Sequence, residues 1–180
     1  GSMWEDDGSV RWYPNDYSAA RNPLLDHYGT DQMLDMYTLF SVLYSELKLP
    51  FGITYRISIQ PSIATTKEAN FFSTNTFTGR TTYTGGYGYR YHTNEFAWMF
   101  DNLIKWNGSF GVHDFDVTLL ANAEQSKSWR SNLYANNFAP NENLTYHGLQ
   151  FGANQSLNSN DTQSSGDALM ARLNYTLLDR

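Results

Sequence analysis

Apolar and polar residues alternate with a period of two along several stretches of the chain, the signature of β-strands whose two faces meet different surroundings. In residues 53–63, Ile53, Tyr55, Ile57, Ile59 and Ile63 alternate with Thr54, Arg56, Ser58, Gln60 and Ser62. In residues 113–124, Phe115, Val117, Leu119, Ala121 and Ala123 oppose a more charged face of Asp114, Asp116, Thr118, Asn122 and Glu124. Residues 169–177 set Leu169, Ala171, Leu173, Tyr175 and Leu177 against Met170, Arg172, Asn174 and Thr176. Residues 96–110 place Phe96, Trp98, Phe100, Ile104 and Trp106 on one side and Ala97, Met99, Asp101, Leu103 and Lys105 on the other, so both faces are partly apolar. Residues 34–47 fit a strand or an amphipathic helix, because Leu39, Leu43 and Leu47 lie four apart; Tyr37, Thr38, Phe40, Val42 and Tyr44 favour β geometry, and a strand is predicted.

The connections carry as much information as the strands. Pro50, Phe51 and Gly52 make one short hairpin turn, and Asn107, Gly108, Ser109 and Gly111 make another. Residues 64–95 and 125–166 read as long polar loops of roughly thirty and forty residues, where ordinary connections run to about six. Short and long connections therefore alternate strictly. A soluble sandwich has no physical reason for that alternation, whereas a barrel inserted from one side needs only tight turns inside and is free to grow loops outside. Strands of about ten residues cross a bilayer at a tilt of roughly 45°. The pattern thus predicts an all-β, antiparallel up-and-down meander of about five strands with long outward loops, part of an outer-membrane β-barrel. Residues 1–180 form one domain, with 1–32 the end of an outward loop and 33–180 the strands and loops. Trp106, Phe115 and Tyr175 fall near the inner ends of the strands and Phe96 and Trp98 near an outer end, where aromatic girdles belong.

Composition narrows the function. Aromatics reach 16% and charged residues only 17%, which suits strands and polar loops. Without cysteine there is neither a disulfide framework nor a thiolate metal site. A net charge of −6 and the lack of a Lys/Arg cluster weigh against nucleic acid, whose binding neutralises phosphates. No run of about eighteen apolar residues is present, and the first residues have neither a charged n-region nor an apolar h-region. Gly1, Ser2 and Met3 read equally as a vector scar or as native residues. His27, His92, His113 and His147 are scattered without ligand spacing, so neither a metal nor a cofactor is predicted. Asp114 and Asp116 share a face, and carboxylate pairs can hydrolyse glycosides, but in a strand beside a turn they read as solvated charges, and no enzyme is predicted.

The candidate binding surface is the Gly/Tyr-rich stretch 79–91, where Tyr83, Tyr87, Tyr89 and Tyr91 stand among Gly85, Gly86 and Gly88. Aromatic faces and phenolic hydroxyls suit a sugar or a peptide. The competing reading is a β-hairpin extension with the tyrosines packed on one another. The segment 126–165 carries Trp129, Tyr134, Phe138 and Tyr146 among Asn and Ser, and suits a surface loop that is poorly ordered or folded against neighbours.

Several short motifs recur in an order known from one family. Asp101, Asn102 and Leu103 followed by Phe110, Gly111, Val112, His113 and Asp114 resemble a stretch in the barrels of SusC/RagA-type TonB-dependent transporters. Ala171, Arg172, Leu173, Asn174 and Tyr175 with Asp179 and Arg180 are similar to a hairpin approach of that family, as are Asn22, Pro23 and Leu24 and, at the next turn, Leu49, Gly52, Ile53, Thr54 and Tyr55. The resemblance covers the chain from about Asn22 onward. It implies an outer-membrane import barrel of about twenty-two strands around a plug, a SusD-like surface lipoprotein as partner, TonB as the drive, and a glycan or peptide as cargo. Five strands cannot close such a barrel, so the chain is expected to be a piece of one, in contact with outer-membrane lipid. A soluble all-β carbohydrate-binding module, with the tyrosine-rich stretch as its site, is the alternative.

Overall fold

The computed structural model describes residues 2–14, 21–83, 85–138 and 142–178; Asp179 and Arg180 of the family-like motif lie outside them. The strands are β1 (Thr30–Phe40), β2 (Leu43–Leu49), β3 (Ile53–Phe72), β4 (Tyr87–Phe110), β5 (His113–Asn136) and β6 (Asn154–Leu177), preceded by one short helix, α1 (Pro23–Gly29). They form one six-stranded antiparallel sheet in the order β1-β3-β4-β5-β6, with β2 also pairing β3. From β3 to β6 chain neighbours are sheet neighbours, and β1 and β2 share β3 as their neighbour, so the fold is the predicted all-β antiparallel meander. No helix is long and apolar enough to cross a membrane, which says nothing about strands.

Residues 34–47, predicted as one strand, are two, interrupted at Ser41 and Val42. The register places Leu43 opposite Ile59 and Leu49 opposite Ile53. Carried back, it sets Ser41 beside Pro61, whose carbonyl accepts from the Ser41 N–H at 3.1 Å. Proline has no N–H to return, so the reciprocal ladder bond cannot form and the strand breaks there. Both pieces share one neighbour, and five strand positions cross the sheet.

The connections differ more. Most of the long predicted loops is strand: β3 runs on to Phe72, β4 begins at Tyr87, β5 ends at Asn136 and β6 begins at Asn154, leaving connections 73–86 and 137–153. Asn107, Gly108 and Ser109 lie within β4, and Gly111 and Val112 alone turn the chain. The extensions lack a run of branched aliphatic residues on one face. Along β6, residues 154–166 are almost entirely polar, and backbone pairing holds them where periodicity gives no sign.

By compactness the chain divides into unit 1 (Gly1–Met36, Thr66–Thr93, Arg130–Asn160) and unit 2 (Tyr37–Thr65, Asn94–Trp129, Asp161–Arg180). Every buried apolar residue described, Leu25, Ala69, Phe71, Ala135 and Phe138, belongs to unit 1. Among the described residues of unit 2, none is buried. Its apolar side chains instead line one face: Leu43 opposite Ile59, Leu47 opposite Tyr55 and Leu49 opposite Ile53, with Tyr44 opposite Ser58 and Lys48 opposite Thr54 on the other face. Leu39, Leu43 and Leu173 are all at least 60% exposed. A single sheet layer with an uncovered apolar face is not a finished globular core.

Two turns hold the ends of these strands. At the β2–β3 hairpin, Phe51 and Gly52 both take positive φ, 65° and 78°. A side chain on Gly52 would come within 2.2 Å of the Asn107 carbonyl. The Trp106 indole N–H donates to the Phe51 carbonyl at 3.0 Å, tying the two hairpins together. Trp106, Phe110, Phe115 and Tyr175 gather beside them with ring centroids 5.2–6.5 Å apart. The aromatics expected at the inner strand ends are thus brought together. Gly52→Ala is expected to cost roughly 1–3 kcal/mol, since strained φ and a backbone clash add. Gly111→Ala, at φ 65° with open space around it, should cost less. Urea midpoints of the two variants in detergent check the ranking; equal midpoints would contradict it.

Candidate functional site

The candidate tyrosines lie in unit 1, where the sheet has two dissimilar faces. On one face Phe71 of β3 and Ala135 of β5 meet Phe138, Tyr146 and Leu149 of the connection 137–153 in a small core. Phe71 and Phe138 pack edge to face at 5.1 Å. Strand alternation then sends Glu68, Asn70 and Phe72 of β3, Tyr87, Tyr89 and Tyr91 of β4 and Tyr134 of β5 to the opposite face. The covered face is what fixes the tyrosines in place.

On that face the rings form a ladder. Tyr83 stacks on Tyr87 at 3.9 Å and 12°, and Phe72 lies parallel to Tyr87 at 6.2 Å. Tyr87 meets Tyr89 at 5.9 Å, Tyr89 stacks on Tyr91 at 4.5 Å, and Tyr134 meets Tyr91 edge-on at 5.6 Å. All four candidate tyrosines are therefore brought together, and they pack on one another as a hairpin extension would require. Tyr83 is exposed while Tyr87, Tyr89 and Tyr91 are half-buried, so a row of ring edges and hydroxyls remains accessible.

Polar groups order the ladder. The Tyr89 hydroxyl donates to Glu68 Oε1 at 2.9 Å, and Asn70 Nδ2 donates to the same oxygen at 3.3 Å and to the Tyr89 hydroxyl. Burial, then the neighbouring Tyr83, Tyr134 and Tyr89, pushes the Tyr87 phenol from 10.0 to about 12. Burial and the Glu68 carboxylate raise Tyr89; burial and Tyr134 raise Tyr91. Tyr87, Tyr89 and Tyr91 thus present neutral hydroxyls, able to donate and accept, across the physiological range.

The loops that frame the ladder are tied down. Glu142 accepts from the Thr74 N–H at 3.0 Å and the Thr74 hydroxyl at 3.1 Å, joining connection 137–153 to connection 73–86. Asn22 caps α1 by accepting from the Leu24 N–H at 3.1 Å, and its amide donates to the Met3 and Arg11 carbonyls at 2.7 Å each. Those bonds give the Asn22-Pro23 step a physical reason: a buried cap followed by a proline at the first helical position.

Unit 2 carries a second polar feature. Asp101 of β4 accepts from Gln60 of β3 at 3.2 Å and from Asn122 of β5 at 2.7 Å. A groove of about 340 Å³ that shares Gln60 is lined by Phe40, Ala97, Trp98 and Met99 together with Ser62, Glu124, Ser126 and Ser164. Its surface is mixed, part apolar and part polar. Among the described residues no three His, Asp or Glu side chains gather as a metal site.

Sequence reasoning missed Tyr134, Glu68, Asn70 and Phe72. The signal for the β3 residues was the continuation of period two past Ile63, where Glu68, Asn70 and Phe72 alternate with Ala69 and Phe71; for Tyr134 no local signal pointed to the site.

No protein-family model matches the chain, and no curated protein matches it. Solved structures do. The RagAB peptide transporter is similar over 96% of this chain and 20% of that one, at 12% identity and a TM-score of 0.79. The RagAB peptide importer in its closed-closed state is similar over 97% and 20%, at 11% identity and 0.78. In its open-open state the values are 97% and 20%, 14% and 0.70. The chain spans about a fifth of the length of these structures, and the likeness is one of fold.

The raised phenols have a pH consequence. A group held protonated by folding contributes stability that is whole below its unfolded value of 10.0 and is lost as pH rises through the folded value. Phenolate absorbance is expected to show a late-titrating class near pH 12, with unit 1 loosening above about pH 10. Uniform titration at the free value would contradict the packed ladder.

Proposed function

We propose that this chain supplies part of the wall and outward surface of a bacterial outer-membrane importer of the SusC/RagA type. The observation that carries the reading is unit 2: a strand layer with one apolar face, one polar face and no buried residue among those described. In water such a layer leaves its apolar face uncovered; in a bilayer that face meets lipid, while the antiparallel ladder satisfies the backbone. Unit 1, which buries a core of its own, lies outside the bilayer. The soluble carbohydrate-binding module is less well supported, because a sandwich would cover that apolar face with a second sheet.

The transporter reading brings the rest as proposals. The working assembly pairs the full barrel with a SusD-like surface lipoprotein and draws energy from TonB. Its cargo is a peptide or an oligosaccharide, and the fold likeness to peptide transporters favours the peptide. Tyr83, Tyr87, Tyr89 and Tyr91 serve as a contact surface for that cargo. No catalytic step, metal or cofactor is assigned to the chain.

Cells expressing the full-length protein are expected to take up a fluorescent oligopeptide, to lose that uptake when the gene is deleted, and to lose it when the proton-motive force is collapsed. Recovery of the protein from the soluble fraction, with glycan binding and no effect on uptake, would overturn the proposal in favour of the soluble module.

A further inference from the structure

Resting on the peptide-contact reading of the tyrosine ladder, we infer that the ladder with Glu68 at its side is a subsite for a cationic side chain, a guanidinium or an ammonium. Three observations converge on it. First, Glu68 is held by one oxygen only: Oε1 accepts from Tyr89 and Asn70, while Oε2 has no hydrogen-bond partner among the described residues. Second, Glu68 has no ion-pair partner there either; the one salt bridge among the described residues joins Arg11 to Glu5 at 3.2 Å. A fixed, half-buried carboxylate without a counter-charge attracts a cation. Third, the Tyr89 ring whose hydroxyl bonds Glu68 stacks on Tyr91 and meets Tyr134, so three phenols stand together beside the carboxylate and offer a cation aromatic surface and hydroxyl oxygens that accept from its N–H groups.

The chain uses this chemistry elsewhere on itself. Arg21 sits over the Phe77 ring at 3.2 Å, Arg80 over Trp12 at 4.5 Å and Arg56 over Tyr44 at 4.3 Å. No guanidinium is so placed over Tyr83, Tyr87, Tyr89, Tyr91 or Tyr134 among the described residues. The ladder is the aromatic cluster richest in hydroxyls and adjoins a carboxylate, yet its cation position is unfilled by the chain itself. Burial first and then the Glu68 carboxylate raise the Tyr89 phenol, and that same carboxylate would attract a positive ligand. An anionic ligand would meet repulsion at the same point.

The test uses the full-length transporter carrying this chain, in detergent, and three otherwise identical heptapeptides with a central Arg, citrulline or Glu. Citrulline keeps the shape of Arg and removes the charge. Titration calorimetry is expected to show the Arg peptide binding about tenfold more tightly than the citrulline peptide, with the Glu peptide weakest. Glu68→Gln is expected to bring the Arg and citrulline peptides within twofold of each other. Equal affinities of all three peptides in the unaltered protein, together with loss of binding in Tyr87→Leu, would overturn the cation subsite and leave the ladder as a peptide surface. Binding of the three peptides that is undetectable, or unchanged in Tyr87→Leu, would overturn the peptide-contact reading and the subsite with it.

Discussion

Antiparallel backbone pairing is the interaction on which the rest of the structure depends. Unit 2 has no buried residue among those described, so no packed core holds its strands together; the backbone ladder does, with side-chain contacts only along its faces. From β3 to β6 each strand there pairs with its chain neighbour, β1 and β2 both pair with β3, and the turns at 50–52 and 111–112 are short. Such a layer satisfies its own N–H and C=O groups and asks its surroundings only to accept an apolar surface on one side and a polar one on the other. A bilayer edge next to a water-filled lumen provides both.

The same alternation, in a different composition, builds the candidate site. In unit 1 the inward residues are Phe71 and Ala135 under Phe138, and the residues facing the other way are tyrosines with Glu68 and Asn70. One face is a small core and the other a ladder. Rigid backing and an amphipathic aromatic front are what a contact surface for a flexible ligand needs, because stiff side chains lose little entropy on binding.

The strands of unit 2 were legible because Ile, Leu, Val and Phe mark one face of each. The break at Ser41 was not, since it arises from Pro61 on the neighbouring strand, and a missing N–H shows only once the register is known. The strand extensions were hidden for another reason: Asn154 to Gly166 carry almost no apolar residue, and cross-strand pairing rather than local pattern makes them strand. The four candidate tyrosines could be picked from their spacing. Tyr134, forty-odd residues away, and Glu68, on the preceding strand, enter the site only through sheet register.

The most direct test of the account is the environment of alternate residues along β5. The chain has no cysteine, so single Cys substitutions at Asp116, Val117, Thr118 and Leu119, made in a full-length protein with any cysteine outside this chain replaced by serine, report on one position each. In intact outer membranes, a water-soluble maleimide is expected to label positions 116 and 118, while positions 117 and 119 resist it and are instead quenched, once carrying an environment-sensitive dye, by spin-labelled lipid. Equal aqueous labelling of all four positions, without lipid quenching, would contradict the claim that this sheet stands between lipid and water.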